Sequence, residues 1–181
     1  ALNDGTGYLV ERYSLRYLPS ASVLNYLKGR AGQKAGQLLA FGNPDLGNSQ
    51  YDLKFAQDEA ATVAGGFPRA KVLVRKDATE TTFKTLGNQF SYIHFATHGK
   101  FEPDTPLNSG LLLASDSQND GVLTVGELYS LRLDADLVTL SACETGLGKI
   151  SHGDDVVGLA RGVFYAGTKT IVASLWQVDD Q

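Results

Sequence analysis

Two stretches of the chain bring reactive side chains to the points where apolar runs stop. Phe90-Ser91-Tyr92-Ile93-His94-Phe95-Ala96 ends in Thr97-His98-Gly99, and Leu137-Val138-Thr139-Leu140-Ser141-Ala142-Cys143 opens into Glu144-Thr145-Gly146-Leu147-Gly148. In parallel α/β sheets, ligands and catalytic groups collect at the carboxyl ends of strands, where the chain leaves the sheet. If these two strands are parallel neighbours, His98 and Cys143 emerge at one edge. An imidazole there takes the thiol proton, or holds the thiolate as an ion pair, and returns the proton to a leaving amine. Gly99 lets a backbone N–H approach an oxyanion without a Cβ in the way, and the backbone N–H of Cys143 is a second donor. A lone cysteine taken by itself reads as a small buried hydrophobe. His98 at a matching strand end turns that reading toward a nucleophile.

The other polar residues near these stretches divide by position. His94 lies mid-strand and reads as a buried imidazole hydrogen-bonded to a neighbour. His152 sits in the polar loop after Cys143, either solvated or serving as the base in place of His98. Asp154 and Asp155 stand at a helix start, where the helix dipole favours acids; Asp154 is also a candidate for substrate binding. Asp179 and Asp180 follow Trp176, either as a solvated loop or as acids on an aromatic wall that receive a Lys or Arg side chain. His94 and His98 have the spacing of a zinc helix, but no Glu follows His94 and the segment reads as strand, so no metal is expected. Gly148-Lys149 is followed by Ile150, which rules out a P-loop, and no G-x-S-x-G elbow occurs.

The elements that must position these residues follow from the apolar pattern. Tyr8 to Leu18 is rich in aromatic and β-branched residues and predicts one or two strands, with a short helix capped by Ser20 or Ser22 after it. Strands are predicted at 37–44, 71–75, 90–96, 109–114, 137–143 and 170–176, and helices at 55–65, 77–87, 127–131 and 153–167. Asp45 to Leu53 reads as loop after the Gly42-Asn43-Pro44 breaker. Thr124 to Glu127 has the spacing of a capping box. Alternating apolar strands and helices predict an α/β fold, a mostly parallel sheet covered on both faces.

Composition narrows the function classes. At 181 residues and 43% hydrophobic content, the chain is expected to form a single domain. A formal charge of −4 and the lack of a Lys/Arg run argue against nucleic acid as partner. No apolar run reaches the length of a membrane span, and no signal peptide opens the chain. A single Cys excludes an intrachain disulfide framework and fits a reducing compartment, although a bacterial secreted fragment could also carry one thiol; a cytoplasmic location is the expectation. Ala1 in place of an initiator Met, and an end at Gln181 just after an apolar strand, lead us to expect a segment of something longer.

Four ordered stretches resemble one family: Phe95-Ala96-Thr97-His98-Gly99, Leu140 to Gly146, Gly153 to Arg161, and Ala173-Ser174-Leu175-Trp176-Gln177-Val178-Asp179-Asp180. Together they look like the CHAT domain, a caspase-like cysteine peptidase family also related to separase. A histidine about 50 residues ahead of an Ala-Cys sequence is likewise the order and spacing of caspases. The resemblance implies a caspase–haemoglobinase three-layer α/β sandwich over residues 1–181, truncated at its C-terminus. It implies peptide-bond hydrolysis without a cofactor, with His98 as base and Cys143 as nucleophile. It further implies Asp180, with Asp179, as the binder of a basic residue before the cut. Ser141, Glu144 and Thr145 differ from the usual neighbours of the cysteine in caspases, so strict cleavage after Asp is not expected. The partners implied are a protein or peptide substrate and a regulatory helical-repeat domain or activator protein. The alternative is a catalytically silent scaffold or sensor that binds a protein partner.

Overall fold

Leu38 to Phe41 show why the chain builds a sheet with two covered faces. Side chains alternate across a strand, and here Leu38 and Ala40 pack with one apolar cluster while Leu39 and Phe41 pack with another. Both faces of this strand are therefore apolar, as expected of a strand buried in a parallel sheet. The computed structural model describes residues 5–14, 36–102, 104–144 and 154–173, without the side chains of 142–144 and 154–157.

The chain divides into two compact units, residues 1–31 and 32–181. In the first, Leu9–Glu11 forms a 3-10 turn where a strand was expected. Its backbone bonds close locally, Glu11 N–H to Tyr8 at 3.0 Å and Arg12 N–H to Leu9 at 3.1 Å, so the aromatic and β-branched composition is overridden by turn formation. Residues 15–18 of that expected strand, and the short helix expected after it, lie outside the described residues.

The second unit carries a seven-stranded sheet. Its strands are β1 (Leu38–Pro44), β2 (Ala70–Arg75), β3 (Tyr92–Lys100), β4 (Gly110–Leu112), β5 (Val122–Thr124), β6 (Leu137–Glu144) and β7 (Ile171–Ala173). β1 pairs in parallel with β2 and β3, β3 with β6, and β6 with β7. β4 runs antiparallel to the end of β3, and β5 antiparallel to β4. The sheet is thus mostly parallel, as predicted. β5 was not foreseen, because Val122-Leu123-Thr124 is too short for its alternation to stand out beside the capping box that follows.

Helices cover both faces. α1 (Ala56–Gly65) lies on one face, where Ala60 joins Leu38 and Ala40, flanked by Val63, Ala64 and Phe67. α2 (Glu80–Leu86), α3 (Val125–Leu128) and α4 (Asp154–Tyr165) cover the other. Phe83, Val125, Leu128, Leu159 and Val163 from these helices join Leu39, Phe41, Ile93, Phe95, Val138 and Leu140 of the sheet in the larger cluster. The result is the expected α/β sandwich of helix, sheet and helix. Small residues set the layer spacing. A Cβ at Gly42 would stand 2.7 Å from the Ala56 carbonyl and 2.8 Å from Ala60 Cβ, so only glycine lets α1 lie this close to β1.

Capping chemistry fixed two helix starts. The Thr79 hydroxyl accepts from Thr82 N–H at 3.0 Å, which starts α2 at Glu80 instead of the expected Asp77. Thr124 and Glu127 form the predicted capping box, but α3 begins directly after Thr124 and ends at Leu128, earlier at both ends than expected. Among the described residues, no helix is long and apolar enough to cross a membrane.

Candidate active site

β3 and β6 settle the relationship on which the sequence reading depended. They are parallel neighbours, and their register pairs Ala96 with Ser141, Thr97 with Ala142, His98 with Cys143 and Gly99 with Glu144. Adjacent strands lie about 4.8 Å apart, so the backbones at His98 and Cys143 are next to one another. β3 runs on through His98 and Gly99 to Lys100, which places the histidine inside the ladder near its end.

His98 is buried at 4% exposure, and its Nε2 lies 2.7 Å from the backbone carbonyl of Tyr51. A carbonyl only accepts, so Nε2 carries a proton and the neutral ring has its lone pair on Nδ1. The Tyr51 ring also meets the imidazole edge to face, with centroids 6.4 Å apart. Tyr51 belongs to a 3-10 turn, Ser49–Tyr51, within the segment that the sequence marked only as loop. Sequence reasoning missed this partner because a backbone carbonyl has no residue signature.

Gly99 sits within the ladder, between Leu111 of β4 and Glu144 of β6. A Cβ there would stand 3.1 Å from the Phe101 ring, so close packing gives this glycine a role whether or not its N–H serves an oxyanion.

His94 is buried at 4% exposure, as the sequence implied, and its Nε2 lies 3.2 Å from Glu59 Oε1. Glu59 comes from the first turn of α1, a position where the helix dipole favours an acid. Here it turns toward the sheet. His94 beside it holds the Glu59 carboxyl below the ordinary carboxylate range, against the upward push of burial, and the Ser141 hydroxyl bonded to it lowers it further. A polar contact set therefore joins α1, β3 and β6 two residues before Cys143.

Asp154 is the first residue of α4 and Asp155 the second, the placement that a helix N-terminus favours for acids. Their side chains, and those of Cys143 and Glu144, are outside the described part, as are the whole residues His152, Trp176, Asp179 and Asp180. Among the described residues, no three His, Cys, Asp or Glu side chains converge as metal ligands.

A paired histidine and cysteine on adjacent parallel strands, with the imidazole proton fixed on the nitrogen that faces a carbonyl, is an arrangement suited to thiol activation. Among known families, a model described as CHAT domain matches residues 1–181. No curated protein matches the sequence.

Proposed function

Because the chain belongs to the CHAT domain family, which is caspase-like and related to peptidases, we propose that it is a cysteine endopeptidase with a Cys143/His98 dyad. The observation that carries this reading is the β3–β6 register, with His98 opposite Cys143. In the proposed reaction the Cys143 thiol gives its proton to Nδ1 of His98, while Nε2–H remains bonded to the Tyr51 carbonyl. The thiolate sulfur attacks the scissile carbonyl carbon, and the electron pair of the C=O bond moves to oxygen. Backbone N–H groups of Gly99 and Cys143 are the proposed donors to that oxyanion. Collapse of the intermediate breaks the C–N bond, and Nδ1 returns its proton to the leaving amine. Water then attacks the thioester, passes a proton to Nδ1 and releases the acid and the free thiol.

For specificity, the proposal assigns Asp180 and Asp179, with Trp176 and Asp154, to a site for Arg or Lys before the cut. Support for this comes from the likeness of the stretch Leu175 to Asp180 to separase and from the charge of its acids. A helical-repeat domain or activator protein is the proposed regulator.

Labelling with peptide electrophiles bearing Arg, Leu or Asp at the cleavage position tests the reading, on wild type and Cys143→Ala. Capture by the Arg probe, lost in Cys143→Ala, is expected. Preference for Asp would overturn the specificity assignment, and no labelling by any probe would favour the scaffold alternative.

A further inference from the structure

We propose that Asn43 and the Arg75–Asp52 pair are positioning residues for His98, holding the segment 45–53 so that the Tyr51 carbonyl fixes the imidazole proton on Nε2. The structural part stands on its own, and its catalytic consequence rests on the peptidase reading.

The chain of contacts begins at a defect in the sheet. The β1–β2 register shifts between Gly42 and Pro44, leaving Asn43 as the extra residue of a bulge. Asn43 is buried and has φ of +47°, a left-handed conformation that asparagine tolerates better than most residues. Glycine would suit that backbone equally well, so the side chain needs a separate explanation. Its Oδ1 accepts the Leu53 N–H at 3.0 Å and so ties down the far end of the segment, two residues beyond Tyr51.

Arg75, at the end of β2, makes the second tie. Its Nη1 donates to Asp52 Oδ1 at 2.6 Å and reaches the Asn43 carbonyl at 3.5 Å, while Nη2 stands 3.8 Å from Asp45. Asp45 in turn accepts from Gly47 N–H at 3.0 Å. Arg75 also has a left-handed backbone, with φ of +50°. A long side chain is uncommon there and persists where its surroundings hold it. Two non-glycine residues in this conformation thus sit at the ends of adjacent strands, and both bond the segment that carries Tyr51. Asp52, the partner of Arg75, directly follows the residue whose carbonyl accepts from His98.

The test uses the full chain and two readouts. Ring 15N chemical shifts report which nitrogen of His98 carries the proton, whether or not the protein hydrolyses anything. Asn43→Gly keeps the left-handed backbone and removes only the Oδ1 contact, Arg75→Ala removes the ion pair, and Arg75→Lys restores a cation. Wild type is expected to show the Nε2–H tautomer, and the Asn43→Gly/Arg75→Ala double variant a mixture with Nδ1–H. On an active preparation, kcat falls roughly tenfold in the double variant with KM within about twofold, and Arg75→Lys recovers part of the loss. If the double variant melts with wild type and its His98 shifts are unchanged, the proposal is overturned. Should it fail to fold, the single Asn43→Gly variant decides by the same shifts. A changed tautomer in a protein without peptidase activity would instead leave the positioning role intact and reject the peptidase reading.

Discussion

His98 and Cys143 occupy paired positions on the adjacent parallel strands β3 and β6, and the Tyr51 carbonyl accepts from His98 Nε2 at 2.7 Å. The first fact brings the residues of the proposed dyad to one place in the sheet. The second places a ring proton on Nε2 and leaves Nδ1 for the proposed base role. Because the carbonyl belongs to the backbone, this hydrogen bond does not itself require a particular side chain at position 51, although the Tyr51 ring also contacts the imidazole.

Tyr51→Phe should therefore leave the proposed peptidase activity within about twofold of wild type, since the carbonyl and the edge-to-face ring contact survive. Steady-state kinetics on a peptide substrate checks this. A hundredfold loss would mean that the phenol oxygen takes part.

Glu80 should matter to stability and not to chemistry. Its carboxylate is fully buried, lies 2.6 Å from Lys84 Nζ and accepts the Gly121 N–H at 2.9 Å, joining α2 to the turn between β4 and β5. Glu80→Ala leaves the buried Gly121 N–H unpaired, while Lys84 keeps Glu127 at 2.8 Å, and this costs about 1–3 kcal/mol. Urea unfolding should show a lower midpoint with an unchanged slope.

Glu127 gives the stability a defined acid limb. Burial pushes its carboxyl up, but Lys84 and the Thr124 N–H and hydroxyl outweigh this and pull it from 4.5 down to about 2. A depressed folded-state value stabilises above the ordinary carboxylate range, and that contribution disappears as pH falls from 4.5 to about 2. Because the side chain is partly exposed, solvent screening limits the effect to about 1 kcal/mol or less. Thermal melts of wild type and Glu127→Gln should differ near neutral pH and converge toward the acid end of this window.

Gly110 should not tolerate a side chain. A Cβ there would stand 2.3 Å from the Leu123 carbonyl and 2.9 Å from Thr124 Cα, both backbone atoms of β5. Gly110→Ala must separate the β4–β5 pair, at about 1–3 kcal/mol. Hydrogen exchange should show weaker protection in β4 and β5 than in β1.

The strands that carry His98 and Cys143 were legible because each is an apolar run ended by a polar or glycine-rich turn, and the alternation of strands with helices gave the fold class. Residues 8–13 misled because aromatic and β-branched content favours a strand only where packing uses it. The partners of His98 and His94 were hidden for different reasons. Tyr51 acts through its backbone. Glu59 carries no distinguishing signal in the sequence, and only the packing of α1 on the sheet reveals that it faces His94. Asn43 was visible as a breaker in Gly42-Asn43-Pro44, yet its part in a bulge appears only when β1 and β2 are aligned.

The most direct test of the dyad uses the fact that Cys143 is the only cysteine in the chain, so thiol alkylation reports on it alone. Its rate with iodoacetamide should be followed from about pH 5 to pH 10 in wild type and His98→Ala. In wild type the thiolate should form below the free-cysteine value of roughly 8.5. In His98→Ala the profile should move back toward that value. Coincident profiles in two well-folded proteins would contradict the dyad.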